Sequence, residues 1–142
     1  MNEDRKLMFL CVDDEVSVLE SLKEQLRNAF GNSFIYETAE SAAEAIDIID
    51  DTLDPNHSIV IVVSDWLMPG MKGDEFMIHL ELNFPNIRKI LLTGQVDPIS
   101  LERAKRVGRV DHVITKPWKK DHLISVIREL QVVPTIPGSQ SE

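Results

Sequence analysis

The chain is poor in cysteine, histidine and basic residues, and it has no long apolar run. A single cysteine, Cys11, among 142 residues excludes an intrachain disulfide framework. Such a composition fits a cytoplasmic protein. Cys11 lies inside an apolar stretch, where a thiol serves as a small core residue; reactive thiols need electropositive, accessible surroundings. The four histidines are scattered and give no zinc-type spacing. The apolar stretch Leu7 to Val12 is too short for a membrane span or a secretory leader, and it runs straight into Asp13-Asp14-Glu15. Lys and Arg number 15 against 24 Asp and Glu, a net charge of -9. Binding to nucleic acid or to an anionic membrane relies on basic residues that neutralise phosphates, so this balance argues against both.

The length suits one domain with a real core and is too short for two ordinary ones. The stretch around which the chain is organised is Ile59-Val60-Ile61-Val62-Val63-Ser64-Asp65. Five β-branched apolar residues in a row predict a strand buried on both faces, the kind found in parallel sheets covered by helices. The run ends in a carboxylate, and Pro69, Gly70 and Gly73 then force a loop. Asp65 therefore stands at the C-terminal end of a central strand. In open α/β sheets that edge is where ligands bind. Asp is also an ordinary turn residue, so Asp65 alone decides nothing.

Taken in order, Leu7 to Val12 reads as a first buried strand ending at Asp13 and Asp14. Glu15 to Phe30 reads as a helix, with Leu19, Leu22, Leu26 and Phe30 on one face and Gly31 as its stop. Phe34 to Thr38 is a short strand. Ser41 and Glu44 have capping-box spacing, and Ala42, Ala45, Ile46 and Ile49 give the apolar face of a second helix. Asp54-Pro55-Asn56 is a turn before the central strand. Asp74 to Asn83 is helical, with Phe76, Met77 and Leu80 inward, and Pro85 prevents its continuation. Lys89 to Thr93 is a fourth strand. Asp97 and Pro98 read as cap and first residue of a helix running to about Val107. Val110 to Thr115 is a fifth strand, and a last helix spans about Lys119 to Leu130. Strand and helix alternate five times, which predicts an α/β domain with a parallel sheet over residues 1–130. Residues 131–142, with Pro134, Pro137, Gly138 and Ser139, read as a flexible tail or the start of a linker.

All strands of such a fold end at one edge of the sheet. That edge collects Asp13, Asp14, Asp65, Thr93 and Lys116. Three carboxylates together call for a counter-charge. A hard divalent cation held by carboxylates and water, Mg²⁺ above all, supplies it. A carboxylate nucleophile, a metal, a fixed cation and a hydroxyl are the parts that phosphoryl transfer uses.

At these residues the sequence resembles the receiver domains of two-component response regulators. The resemblance covers about residues 6 to 130 and rests on Val12-Asp13-Asp14-Glu15, the Asp65 loop with Met68-Pro69-Gly70 and Gly73, Leu92-Thr93-Gly94, and Thr115-Lys116-Pro117-Trp118. It implies a flavodoxin-like, doubly wound sheet of strand order 2-1-3-4-5. It further implies that Asp65 accepts a phosphoryl group from a sensor histidine kinase or phosphotransfer protein. Mg²⁺ would be held directly by Asp14, through water by Asp13, and by Asp65 and the backbone carbonyl of Leu67. Lys116 would bond the phosphoryl group, Thr93 would swing toward it, and the Lys116–Pro117 bond would be cis. The side chains that flank the attacking water in the family fall at Leu67 and Gln95 here. The message would pass to a downstream protein or to an output domain, or to a second copy through the face formed by the fourth helix, fifth strand and fifth helix. That face carries Arg103, Lys105 and Arg106 beside Glu102, Asp111 and Asp121.

One departure matters. Receivers carry an aromatic residue three positions before the lysine, and here that position is Val113. Trp66 and Trp118 lie close in sequence but match no switch position; Trp118 reads as a packed or half-exposed anchor. Two other function classes stand beside the signalling switch. A Mg²⁺-dependent hydrolase of the haloacid dehalogenase type would carry Asp-x-Asp after the first strand, which Asp13-Asp14-Glu15-Val16 lacks. A phosphorylation-independent interaction module would have no need of the Asp65, Thr93 and Lys116 set.

Overall fold

The computed structural model describes residues 6–52, 58–68, 70–94 and 96–130. Pro69, Gln95, the Asp54-Pro55-Asn56 turn and residues 131–142 lie outside the described residues. The elements alternate as β1 (Lys6–Val12), α1 (Val16–Phe30), β2 (Ile35–Ala39), α2 (Ala42–Thr52), β3 (Ser58–Asp65), α3 (Gly73–Asn83), β4 (Arg88–Thr93), α4 (Pro98–Arg106), β5 (His112–Thr115) and α5 (Lys120–Glu129). All pairings are parallel. The strand order is β2-β1-β3-β4-β5, the flavodoxin-like order.

Neighbouring residues on a strand point to opposite faces, so a run that is apolar at every position serves two cores. In β1, Met8, Leu10 and Val12 join one layer with Ala45 and Ile49 of α2, Phe76, Met77 and Leu80 of α3, and Ala104 of α4. Leu7, Phe9 and Cys11 join the other layer with Leu19, Leu22 and Leu26 of α1 and Leu123, Val126 and Ile127 of α5. β3 divides the same way, with Val60 and Val62 on the first face and Ile61 and Val63 on the second.

The helix ends follow local chemistry. Gly31 closes α1 at a φ of 88°, a conformation that favours glycine. At the start of α2, Ser41 Oγ accepts from the Glu44 N–H at 3.1 Å. Glu44 reaches back to the N–H of Glu40 (2.7 Å), one residue earlier than a closed capping box requires. Asp97 caps α4 by accepting from the Ser100 N–H at 3.2 Å.

One boundary differs from the sequence expectation by more than a residue. Val110 and Asp111 precede β5 rather than opening it. Arg109 has a φ of 54°, which turns the chain there. The Asp111 N–H then donates to the Lys89 carbonyl (2.9 Å), while its carboxylate accepts from the Lys89 N–H (2.7 Å). Only from His112 onward do the strands run in register, His112 beside Ile90.

Candidate phosphoacceptor and metal site

Strand register builds the site. Val12 pairs with Ser64, so the next residues, Asp13 and Asp65, stand side by side at the C-terminal edge of the sheet. Asp65 pairs with Leu92 on its other flank, and Thr93 one step on pairs with Thr115. Lys116 follows Thr115, and its N–H donates to the Thr93 carbonyl at 2.8 Å. Asp13, Asp65 and Thr93 are buried, while Asp14 is exposed.

One carboxylate oxygen from each of Asp13, Asp14 and Asp65 lies within 4.8 Å of the others. Lys116 bridges the two buried ones, with Nζ 3.0 Å from Asp65 Oδ1 and 3.2 Å from Asp13 Oδ2. Asp65 Oδ1 also accepts from the Trp66 N–H at 2.9 Å, and Asp13 Oδ1 accepts from the Glu15 N–H at 2.9 Å. Asp13 thus both shapes the entry to α1 and faces the cluster. Among the described residues three carboxylates meet one ammonium, a local imbalance in charge.

The protonation equilibria follow from that imbalance. Burial raises the Asp65 carboxyl above the usual aspartate range, the Lys116 hydrogen bond lowers it in part, and neighbouring Asp13 raises it again. Burial alone would lower the Lys116 ammonium. Its hydrogen bonds and charge attraction to Asp65 and Asp13 outweigh that effect and hold it above the ordinary lysine value. A set of oxygen donors carrying excess negative charge, one of them open to water, fits a hard divalent cation such as Mg²⁺.

Leu67, two residues beyond Asp65, is 68% exposed, so its side chain turns away from the core. The Lys116–Pro117 bond is cis. Trp118 is half-buried on the α1/α5 layer, and its indole N–H donates to Gln25 Oε1 at 3.0 Å, an anchor as expected. Val113 is half-buried at the border of the other layer. Trp66 is buried, and its ring lies against Gly73 so closely that a Cβ there would come within 2.8 Å of it.

A family model for the response regulator receiver domain matches residues 9–128. The chain belongs to the receiver-domain family of response regulators. Members of that family are signalling domains. The hydrogenase transcriptional regulatory protein HoxA of Cupriavidus necator is 28% identical over 126 residues, which is 89% of this chain and 24% of HoxA. The transcriptional regulatory protein FixJ of Bradyrhizobium diazoefficiens is 28% identical over 132 residues, 92% of this chain and 59% of FixJ. The chain thus spans less than two thirds of these relatives' length. Among solved structures, a CheY-like receiver domain from Methanospirillum hungatei superposes with a TM-score of 0.76 at 25% identity, covering 88% of this chain and 93% of that one. No helix among the described residues is long and apolar enough to cross a membrane.

Sequence reasoning missed the partners of two surface charges on the face expected to carry the signal. Arg103 turns inward to Asp74 of α3 (3.1 Å), and Asp111 is taken by Arg88 (3.1 Å). A self-complementary contact through that face has fewer free charges than the sequence implied. Asp74 looked like an ordinary acidic residue in a helix's first turn, and nothing in one dimension pairs it with a residue 29 positions away.

Proposed function

We propose that this chain is the phosphoryl-accepting switch of a two-component pathway, with Asp65 as acceptor. The observation that supports the reading most is Lys116 spanning Asp65 and Asp13 while Asp14 completes the carboxylate cluster. In the transfer step an Asp65 oxygen attacks phosphorus. The bond from phosphorus to the donor breaks, and its electron pair leaves with the donor, a phosphohistidine of a sensor kinase or phosphotransfer protein. The product is an acyl phosphate. Lys116 stands where it neutralises a phosphoryl oxygen, and Thr93 supplies a hydroxyl beside the site. Asp14 directly, Asp13 through water, Asp65 and the Leu67 carbonyl would hold Mg²⁺, which when bound offsets charge on the transferring group. The domain assists its own phosphorylation and dephosphorylation, works in the cytoplasm, and passes its state to a downstream protein or output domain. HoxA and FixJ are transcriptional regulatory proteins, which makes control of transcription the output class favoured here.

Acetyl phosphate with Mg²⁺ tests the reading. Intact-mass spectrometry should show one added phosphoryl group on the wild type and none on Asp65→Asn. Labelling of Asp65→Asn equal to wild type overturns the acceptor assignment. Asp13→Asn and Asp14→Asn should each weaken Mg²⁺ binding followed by fluorescence of Trp66, with Asp14→Asn the more severe. Unchanged affinity in Asp14→Asn counts against the ligand set.

A further inference from the structure

We propose that the Asp74–Arg103 ion pair is a latch that holds α4 in its resting position and that modification of Asp65 releases it. The inference rests on the phosphoacceptor reading above. The apolar face of α4 is narrow. Of its nine residues Ala104 is fully buried, Leu101 packs half-buried against the core, and Ile99 in its first turn is 78% exposed. A helix with so small an apolar contact is positioned by polar contacts more than most. Its tie to α3 is Arg103 Nη1 to Asp74 Oδ2 at 3.1 Å.

The two ends of that tie are unequal. Asp74 is buried, whereas the Arg103 side chain is 54% exposed. Asp74 does not depend on Arg103 alone. It sits in the first turn of α3, where the helix dipole favours negative charge, and its Oδ1 accepts from the Glu75 N–H at 3.0 Å. Arg103 can therefore move off into water while the carboxylate stays partly compensated. That combination makes a contact that can open.

The latch connects to Asp65 through a short, tightly packed path. The Trp66 N–H is shared between Asp65 Oδ1 (2.9 Å) and the Leu92 carbonyl of β4 (3.0 Å), and the Trp66 carbonyl accepts from the Gly73 N–H at 3.1 Å. The Trp66 ring presses on Gly73 with no room for a side chain, and Asp74 is the next residue. An acyl phosphate at the Asp65 carboxyl moves negative charge out to the phosphoryl oxygens. The hydrogen bond from Trp66 loses its charged acceptor, and Trp66 cannot shift without moving Gly73 and the first turn of α3. This path uses no aromatic residue at position 113, where the chain has Val113. Asp74 and Arg103 are positioning residues here and touch no reacting atom.

Beryllofluoride with Mg²⁺, a mimic of the phosphoryl group, tests the latch on the full chain by two-dimensional amide spectra. In the wild type it should shift resonances of both the Trp66-to-Asp74 segment and α4. In Arg103→Gln the α4 resonances of the free protein should already lie toward the bound position. By linkage, beryllofluoride should bind about fivefold more tightly, the low end for coupled sites because Arg103 is half in water. Arg103→Lys, which keeps a cation, should return both toward wild type. Asp74→Asn should act like Arg103→Gln. Labelling of all variants by acetyl phosphate should stay intact. Resting α4 resonances and beryllofluoride affinity in Arg103→Gln equal to wild type overturn the latch while leaving the acceptor assignment standing. A wild type that neither labels nor responds to beryllofluoride overturns the phosphoacceptor reading itself, and the latch with it.

Discussion

The two ends of β4 carry charge in opposite ways. At its N-terminal end, buried Lys89 donates to Glu81 at 2.9 Å and to the Ile87 carbonyl at 3.2 Å, and Arg109 approaches the same glutamate at 3.6 Å. Arg88 pairs with Asp111 at 3.1 Å and also donates to the Leu130 carbonyl at 3.2 Å. Each carboxylate there has a cation. At the C-terminal end, Asp13 and Asp65 share Lys116, and Asp14 joins their cluster with no cation of its own among the described residues. Buried charge as such therefore marks nothing, since both ends have it. What separates a structural network from a site that needs a ligand is whether every carboxylate has a cation of its own.

The largest expected effect comes from removing a carboxylate at the end where each one is paired. Glu81→Ala strips Lys89 of its carboxylate inside the fold, and loss of one partner of a buried pair should cost about 3 kcal/mol. Urea unfolding measures it. A change of a few tenths would mean that Lys89 escapes to water and that the two ends are not so different.

The converse substitution should stabilise. Asp65→Asn removes one of three crowded carboxylates, and the metal-free protein should gain about 1 kcal/mol at neutral pH from relieved repulsion. The sign with pH follows from linkage. The folded wild type holds the Asp65 proton more tightly than the unfolded chain, so its stability falls as pH rises from 3.8 through the raised folded value. Asp65→Asn lacks that loss, and the gap between the two proteins should close toward acid. Mg²⁺ should stabilise the wild type more than the variant. A variant less stable than wild type in EDTA would show that the cluster is balanced after all.

A smaller effect is expected at the rim of the unbalanced end. The Leu67 side chain has no polar group with which to orient water, so Leu67→Asn should release phosphate from the labelled protein several-fold faster. An identical or slower release, followed by intact mass over time, removes Leu67 from the account of signal lifetime.

Between the two ends, β1 carries Cys11, whose thiol burial pushes up to about 12. It should not react with iodoacetamide at pH 8 in the folded state, and should react fully in denaturant. Labelling of the native protein would mean that the layer under α1 and α5 opens more readily than its packing implies.

How much of this was legible in one dimension depends on the range of the interaction. The apolar runs of β1 and β3 gave their own burial, because a residue apolar at every position must be covered on both faces. The α1 and α5 faces were equally plain from three- and four-residue spacing. The start of β5 was not, because the Lys89–Asp111 backbone pairing and the turn at Arg109 displace Val110 from a run that is apolar enough for a strand. The acidic edge was legible because a parallel fold sends every strand end to one side. The Asp74–Arg103 tie was not.

The sequence by itself determined the α/β alternation, the two-sided core and the residues Asp13, Asp14, Asp65, Thr93 and Lys116 that meet at the sheet edge. All of these follow from local pattern and from the common direction of the strands. Only the tertiary structure decided that Lys116 bridges Asp65 and Asp13, that Arg103 and Asp111 are committed to partners within the fold, and that α4 rests on Ala104, half-buried Leu101 and an ion pair to α3. Those are matters of a few ångströms between residues far apart in the chain. They are fixed by how helices settle on a twisted sheet, which no local pattern records.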